Sequence, residues 1–245
     1  MGLRGAVFYF SRNVINLWQM HTNRRVKAAM QYAKALIAAT QNEADTIKGL
    51  YDRESTIIPE VGFSGKGEVY ASHGKSKVLK ICWSGQFTPR KSLNLLIEAA
   101  AQVQSPIELH IIGNGACEKR WKKMAARYSQ LRIAWYGWVE KAKAMVIMQK
   151  CDLFCITSLS DLTSTVLLEA LSYGLPTIGL DHCGFTNVVT DECGIKISIR
   201  GKRQVIKDIA KAIDEIATDD ERRKRMSIAA YRRSLAYGWE EKGRQ

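Results

Sequence analysis

The sequence predicts an α/β protein built on a parallel β-sheet. From residue 77 onward, short apolar segments alternate with helical segments, which is the pattern of successive βαβ units. Each apolar segment up to residue 180 is followed by glycine, serine or aspartate. Because the carboxyl ends of parallel strands share one edge of the sheet, these small and polar residues are predicted to form one ligand site.

The elements of residues 77–245 follow from this alternation. The predicted strands are Val78–Trp83, Ile107–Ile112, Leu131–Tyr136, Leu153–Thr157 and Thr177–Leu180, with Ile195–Ile199 as a sixth candidate. The predicted helices are Leu93–Val103, a basic helix that ends near Tyr128, Lys141–Lys150, Val166–Tyr173, Gln204–Ala217 and Asp220–Tyr237. Gly174 and Pro176 follow the fourth helix in the usual order for a helix C-terminus.

Residues 1–62 have a different pattern, helix-strand-helix-strand. An amphipathic basic helix is predicted over 13–33, a strand over 35–40, a helix over 42–51 and a strand over 55–59. Residues 63–76 are rich in glycine and serine and are predicted to be a linker. The sequence therefore predicts an N-terminal segment (1–62), a linker (63–76) and a main domain (77–245).

The composition limits the class of protein. The chain is 46% hydrophobic over 245 residues, which is enough for one large core or two smaller ones. No apolar run approaches the length that crosses a bilayer, and no secretion signal is evident, so we expect a cytoplasmic protein. The cysteines form no CxxC pair and the histidines are scattered. Reduced core thiols are therefore expected, and a metal site is not.

The net charge of +13 is densest towards the two ends of the chain. Such an excess favours an anionic partner: a nucleotide, an anionic membrane surface or a nucleic acid. Nucleic acid is disfavoured, because the chain lacks interleaved basic and aromatic residues on a strand. Plain solvated basic helices are the simpler alternative, above all for the run 222–225.

The stretch Ser158–Pro176 carries the strongest functional signal. Glu169 lies inside its apolar helix, and a buried carboxylate must be paired or hydrogen-bonded. Three hydroxyl residues are candidates to cap the N-terminus of this helix: Thr163, Ser164 and Thr165. The free N–H groups of that terminus would suit a phosphate. The simpler alternative is a polar stripe of Thr165, Glu169 and Ser172 that faces solvent.

The ligand is predicted to be an anion, but neither of two common nucleotide-binding motifs is complete. Gly113-Asn-Gly115 lacks the third glycine and the acidic residue of an NAD-binding fingerprint, and no phosphate-binding P-loop is present. Arg90 and Lys91 follow the first predicted strand and are well placed to meet an anion.

Five motifs in order resemble those of a known family: GQFTPRKS, GNG, YGWV, SLSDLTSTVLLEALSYGLP and DHCG. They resemble the donor-binding half of the GT-B glycosyltransferases of family 4, over roughly residues 77–240. The resemblance implies a Rossmann-like, doubly wound parallel sheet, the C-terminal half of the GT-B fold. It also implies retaining transfer of a hexosyl group from a UDP- or GDP-sugar to a glycan or lipid-linked acceptor, in cell-surface polysaccharide synthesis. No cofactor and no essential metal are implied.

The same resemblance assigns roles to individual residues. The implied donor-binding residues are Gly85, Gln86, Arg90, Lys91, Trp138, Thr163, Ser164, Thr165 and Glu169. Lys91 and Asp161 are the implied catalytic residues, with Lys91 on the diphosphate and Asp161 towards the donor sugar. Glu169 would hold the ribose hydroxyls, and the backbone at Trp138 would meet the nucleobase.

The chain departs from the family pattern in its site. Gln86 stands where the family has arginine, for which Arg90 is the candidate substitute, and Asp161 replaces a glutamate. Thr163-Ser164 replaces Phe-Gly, whose backbone N–H groups contact phosphate and sugar. These departures keep open the alternative of a non-catalytic subunit that binds a nucleotide sugar.

The second departure is at the front, because residues 1–62 resemble only the last part of the family's acceptor domain. The chain is therefore expected to be a fragment or a half-enzyme that needs an upstream acceptor domain or a partner chain, and to be weak as a transferase alone. Four cations in this segment suggest peripheral contact with a membrane: Arg24, Arg25, Lys27 and Lys34.

Overall fold

The computed structural model describes residues 3–62 and 78–244. The predicted linker, 63–76, lies outside the described residues. The chain divides into two compact units, Met1–Glu60 and Val61–Gln245.

The described part of the first unit contains three helices and two short strands. They are α1 (Leu3–Thr22), α2 (Arg24–Tyr32), β1 (Ile37–Ala38), α3 (Gln41–Tyr51) and β2 (Thr56–Ile57). β1 and β2 form a two-stranded parallel pair. Within the described ranges, no helix combines the length and apolar character that a membrane crossing requires.

The single helix predicted over 13–33 is wrong, because two helices cover this region. α1 begins ten residues earlier than predicted, at Leu3, and α2 begins after Asn23. The Asn23 side chain accepts hydrogen bonds from the backbone N–H groups of Arg25 (3.0 Å) and Val26 (3.4 Å). This N-cap ends one helix and starts the next, a local signal that the apolar periodicity alone does not reveal.

The second unit is built on a six-stranded, fully parallel sheet, which confirms the predicted fold class. Its strands are β3 (Leu79–Ser84), β4 (Ile107–Ile112), β5 (Arg132–Gly137), β6 (Leu153–Ile156), β7 (Thr177–Leu180) and β8 (Gly194–Ile197). They lie in the order β5-β4-β3-β6-β7-β8. β4 and β7 have the predicted bounds, whereas β8 ends two residues before Ile199.

Helices cover both faces of this sheet. They are α4 (Leu93–Ala100), α5 (Glu118–Ala125), α6 (Lys141–Gln149), α7 (Thr165–Ser172), α8 (Phe185–Val188), α9 (Lys202–Thr218), α10 (Asp220–Leu235) and α11 (Trp239–Lys242). α4, α5 and α9 bury their apolar residues on one face of the sheet. α6, α7 and α8 pack on the other, where α10 lies against α7. Because both faces are covered, every residue of β6 (LFCI) and β7 (TIGL) is buried, and these two strands are largely apolar.

The order of the strands positions the site. The chain starts near the centre at β3, moves outwards through β4 to β5, and then returns to β6 on the other side of β3. The connections therefore leave β3 and β6 in opposite directions. At such a switch point a crevice forms outside the carboxyl ends of the two central strands.

The loops at this edge are joined by the backbone. Gly85 N donates to Ile112 O at 3.0 Å, and Gly113 N donates to Gly137 O at 2.8 Å. Gly113 has a φ of +125°, and a Cβ there would lie 2.0 Å from Gly85 O. Only glycine therefore allows the end of β4 to close on the loop after β3.

Candidate functional site

Two loops meet at the switch point between β3 and β6. The loop after β3 carries Arg90 and Lys91, and the loop after β6 carries Thr157 and Asp161. Leu159 N donates to Arg90 O at 2.8 Å, which joins the loops through their backbones. The structure thus brings together residues about 70 positions apart in the chain.

Thr157 is the buried connection between these loops. Its hydroxyl donates to Lys91 O at 2.8 Å and accepts from the indole N–H of Trp83 at 3.0 Å. Thr157 is fully buried, so its hydrogen bond with Trp83 is shielded from water, and the one to Lys91 O is partly shielded. Sequence reasoning missed this role, because a threonine at the end of a strand gives no signal of its partners.

Three charged side chains form a cluster where these two loops meet. Arg90 Nη1 lies 3.0 Å from Asp161 Oδ1 and also donates to Ser160 O at 3.0 Å. The ammonium of Lys91 binds the other carboxylate oxygen of Asp161. The side chains of Lys91 and Asp161 are only 14% and 15% exposed, so water screens their charges weakly. Two cations share one carboxylate, which leaves the cluster with a net positive charge suited to an anion.

Asp161 is also held from the loop after β7. Its backbone N–H donates to the sulfur of Cys183 at 3.3 Å. Gly184 N donates to Leu162 O in the same loop pair, and a Cβ on Gly184 would lie 2.3 Å from that oxygen. Burial raises the pKa of the Cys183 thiol, so the sulfur is a neutral acceptor here. Cys183 is a second contact that sequence reasoning missed.

Glu169 lies on α7 and is paired, as burial of a carboxylate requires. Its Oε1 lies 2.9 Å from the Nζ of Lys141, the first residue of α6. The Glu169 side chain is 12% exposed, whereas that of Lys141 is 71% exposed. The hydrogen bond that the Lys141 ammonium donates to Glu169 raises the pKa of Lys141. Burial raises the pKa of the nearby Tyr173 phenol, and the negative charge of Glu169 adds to this effect. The sequence did not predict Lys141 as the partner.

The polar stripe of α7 does not simply face solvent. Thr165 is exposed, Glu169 is largely buried, and Ser172 is buried with its hydroxyl bonded to Glu169 O at 2.8 Å. Ser164 is the N-cap residue, but its side chain makes no capping hydrogen bond. The prediction of a side-chain cap is therefore wrong at Ser164.

The other predicted site residues lie along the same edge. Thr163 and Ser164 are buried at the start of α7. Gln86 is exposed beside Gly85, whose position lies against the ring of Trp83. Trp138 follows β5 and is 70% exposed, so its ring is open to solvent next to the first turn of α6.

The chemistry of this edge is that of cation and carboxylate pairs. Among residues 3–62 and 78–244, no group of three His, Cys, Asp or Glu side chains could hold a metal ion. The expectation of metal-independent chemistry stays a prediction.

All six cysteines are free thiols, and burial raises the pKa of Cys155 to about 12.

Comparison with known proteins gives a consistent match. The family model described as Glycosyl transferases group 1 matches residues 68–233. A D-inositol 3-phosphate glycosyltransferase of Stackebrandtia nassauensis is 25% identical over 230 residues, which cover 84% of this chain and 51% of the relative. A lipopolysaccharide 1,6-galactosyltransferase of Salmonella typhimurium is 31% identical over 100 residues, or 39% of this chain and 28% of the relative. The chain thus spans about half the length of the first of these relatives.

Solved structures share the fold. A lipopolysaccharide outer core galactosyltransferase in its apo form superposes with a TM-score of 0.76 at 19% identity, over 91% of this chain and 62% of that one. A pneumococcal O-GlcNAc transferase in complex with UDP and GlcNAc gives a TM-score of 0.72 at 18% identity, over 92% and 45%. An Anabaena protein in complex with UDP and glucose gives 0.70 at 17% identity, over 94% and 67%. At these identities the likeness concerns the fold, and it confirms the predicted GT-B type.

The role of Thr157 gives a prediction for stability. We expect Thr157→Val to lower the free energy of unfolding by about 2–4 kcal/mol, because a buried indole N–H and a partly buried carbonyl each lose a partner. Chemical denaturation followed by fluorescence measures this. The control is Thr218→Val, whose exposed hydroxyl bonds only to Asp214 O and Glu215 O in its own helix. It should change stability by no more than about 0.5 kcal/mol. Equal losses in both variants would contradict the role of Thr157.

Proposed function

The chain belongs to the glycosyl transferases group 1 family, and on this premise we propose that residues 78–244 bind the nucleotide-sugar donor of a retaining glycosyltransferase. The donor is a UDP- or GDP-sugar, and the group transferred is a hexosyl unit. The observation that carries the proposal is the pair Arg90 and Lys91, which share one carboxylate at the switch point of the sheet. The solved structures of the same fold that hold UDP support this choice of ligand.

The cations would act on the diphosphate. In the free protein Asp161 occupies Arg90 and Lys91. A diphosphate carries more negative charge than one carboxylate and would take over these cations, which frees Asp161 to turn towards the donor sugar. When the bond to the sugar breaks, negative charge grows on the departing diphosphate. A fixed Lys91 then stabilises the transition state more than the ground state.

The remaining site residues would hold the nucleoside and the phosphates. Glu169 is proposed to accept hydrogen bonds from the ribose hydroxyls, since it is the carboxylate of α7. The exposed segment at Trp138 would meet the nucleobase. The backbone at Gly85 and Gln86, and the N–H groups of Thr163, Ser164 and Thr165 at the start of α7, would lie against the diphosphate and sugar. We propose no cofactor and no metal requirement.

A non-catalytic module that binds a nucleotide sugar is the second candidate. Two observations favour it. Both cations form salt bridges with Asp161 in the free protein. The exposed Gln86 stands where the family has arginine. This candidate predicts the same affinity for nucleoside diphosphates but no bond cleavage.

The acceptor and the partners belong to the proposal as well. The named relatives include enzymes of lipopolysaccharide and of D-inositol 3-phosphate glycosylation. We propose a glycan or lipid-linked acceptor and a cytoplasmic place in cell-surface polysaccharide synthesis. Because the chain spans about half the length of its first relative, the acceptor site is proposed to come from an upstream domain or a partner chain.

The first unit is the proposed contact with the membrane. No acidic residue precedes Glu43 in the sequence. Three cations on α2 are exposed: Arg24, Arg25 and Lys27. On α1, Val14, Ile15, Leu17 and Trp18 are exposed apolar side chains. Cations together with an exposed tryptophan are typical of helices that lie on anionic lipid surfaces.

The role of Lys91 can be tested by calorimetric titration. We expect Lys91→Ala to weaken binding of UDP or GDP by about 10- to 100-fold, the effect of losing one hydrogen bond between charged groups. Binding of the free nucleoside should stay within about twofold, because it lacks the diphosphate. Lys207→Ala, an exposed lysine on α9, is the matched control and should change neither affinity. Equal binding of nucleoside and nucleoside diphosphate by the wild type would contradict the assignment of the cations.

The need for an acceptor half can be tested by activity. We expect the 245-residue chain alone to hydrolyse a donor slowly and to transfer no sugar. Positioning an acceptor can supply roughly 7–11 kcal/mol of the barrier. Transfer should appear when the chain is joined to, or mixed with, the acceptor half of a relative. Robust transfer by the chain alone to a defined sugar acceptor would overturn this part of the proposal.

The membrane contact can be tested by co-sedimentation with vesicles. We expect binding to vesicles rich in phosphatidylglycerol and none to pure phosphatidylcholine. Replacing the three α2 cations in R24Q/R25Q/K27Q should weaken binding by roughly 100-fold, at about 1 kcal/mol for each charge near the surface.

The control for this experiment is a second basic surface. Lys119, Arg120 and Lys123 are exposed on α5 in the other unit. The variant K119Q/R120Q/K123Q removes the same number of charges and should bind the vesicles as the wild type does. Loss of binding in the α5 variant alone would place the membrane contact on α5 and refute the α2 surface.

A further inference from the structure

The pair Lys141–Glu169 has an unusual placement. Lys141 is the first residue of α6, where the positive end of the helix dipole disfavours a cation. Its side chain is exposed, whereas the carboxylate it reaches is largely buried on α7. An exposed lysine that reaches a largely buried carboxylate keeps that carboxylate from being unpaired in a partly apolar site.

The pair also limits what Glu169 can bind. Lys141 Nζ lies 2.9 Å from Oε1, so one of the two carboxylate oxygens already accepts a charged hydrogen bond. A ribose presents two neighbouring hydroxyl donors, and a carboxylate receives both best through its two oxygens. Oε1 has a second lone pair, but it accepts a hydroxyl less strongly while it is bound to the ammonium, so the diol and Lys141 compete for this carboxylate.

We propose that Lys141 is a positioning residue that competes with the ribose diol for Glu169 and so sets how strongly the site prefers ribonucleotides. This inference rests on the proposed function, because it takes Glu169 as the ribose contact. In the free protein the ammonium holds the carboxylate in place. In the complex the diol replaces the ammonium, which returns to water, where an exposed lysine side chain is well solvated.

The strength of the competition follows from the exposure of the pair. Ion pairs with an exposed partner are weak, because water screens the charges and the lysine recovers rotational freedom on release. The pair therefore delays or reduces diol binding without preventing it. Without this ion pair, the factor by which the diol strengthens nucleotide binding should be about 1.5- to 5-fold larger.

The measurement is a ratio of two dissociation constants obtained by calorimetric titration. The ligands are the tighter-binding of UDP and GDP and the 2′,3′-dideoxynucleoside diphosphate of the same base. The charge of Lys141 acts equally on the phosphates of both ligands, so its long-range effect cancels in the ratio. We expect the ratio of the dideoxy to the ribo dissociation constant to rise about 1.5- to 5-fold in Lys141→Met.

Two variants serve as controls for this ratio. Lys141→Arg keeps a cation that can reach Glu169, so it should restore the wild-type ratio. Lys143→Met removes another exposed lysine of the same helix and should leave the ratio unchanged. A purely structural role of Lys141 would change both dissociation constants together and would leave the ratio as it is.

The outcomes separate this inference from the proposed function. A ratio in Lys141→Met that equals or falls below that of the wild type, while the ribonucleotide still binds, overturns the competition alone. Glu169→Gln should lower the ratio, because the carboxamide offers only one acceptor oxygen. An unchanged ratio in Glu169→Gln, or no binding of UDP or GDP by the wild type, overturns the ribose assignment and this inference with it.

Discussion

The salt bridges from Arg90 and Lys91 to Asp161 are the interactions on which the edge of the sheet depends. They join the two loops that leave the sheet at its centre, where the strand order reverses, and they add to the backbone hydrogen bond from Leu159 N to Arg90 O. Thr157 supports them from below through hydrogen bonds to Lys91 O and from Trp83. Charges at such a point must be compensated in the free protein, and Asp161 does so. The compensation leaves one cation in excess, which is why the crevice suits an anion.

Glu169 on α7 is a second charged group that is paired in the free protein. There the buried group is the carboxylate and the compensating group is the exposed Lys141. In both places a side chain of the protein is paired with a group that the proposed donor needs. Asp161 is paired with the cations Arg90 and Lys91, and Lys141 is paired with the carboxylate of Glu169. Binding of the proposed donor would then be an exchange of partners rather than the filling of a bare site. Exchange makes the net affinity smaller than the interactions within the complex alone suggest, because each ion pair or hydrogen bond to the donor replaces one inside the free protein.

Glycine and sulfur contacts make this arrangement possible. Gly113 and Gly184 lie where a Cβ would meet the backbone oxygen of Gly85 or Leu162, so the loops after β4 and β7 can approach the central loops closely. Cys183 accepts a hydrogen bond from Asp161 N and so holds the backbone of this residue at the crevice. The site is therefore a property of five strand-end loops together, and no single motif describes it.

The amino-acid sequence by itself determined the alternation of strands and helices, the parallel sheet and the edge at which polar residues converge. These follow from local patterns: apolar runs such as Ile107–Ile112 and Thr177–Leu180, which are strands with the predicted bounds, and the small residues that end them. Local patterns also misled, since Asn23 divides a periodic segment into two helices. Only the tertiary structure decided the partners: Lys91 with Asp161, Lys141 with Glu169, Thr157 with Trp83, and Cys183 with Asp161. The physical reason is that these pairs are 22 to 74 residues apart, and their contact depends on strand order and helix layer, which sequence periodicity does not encode.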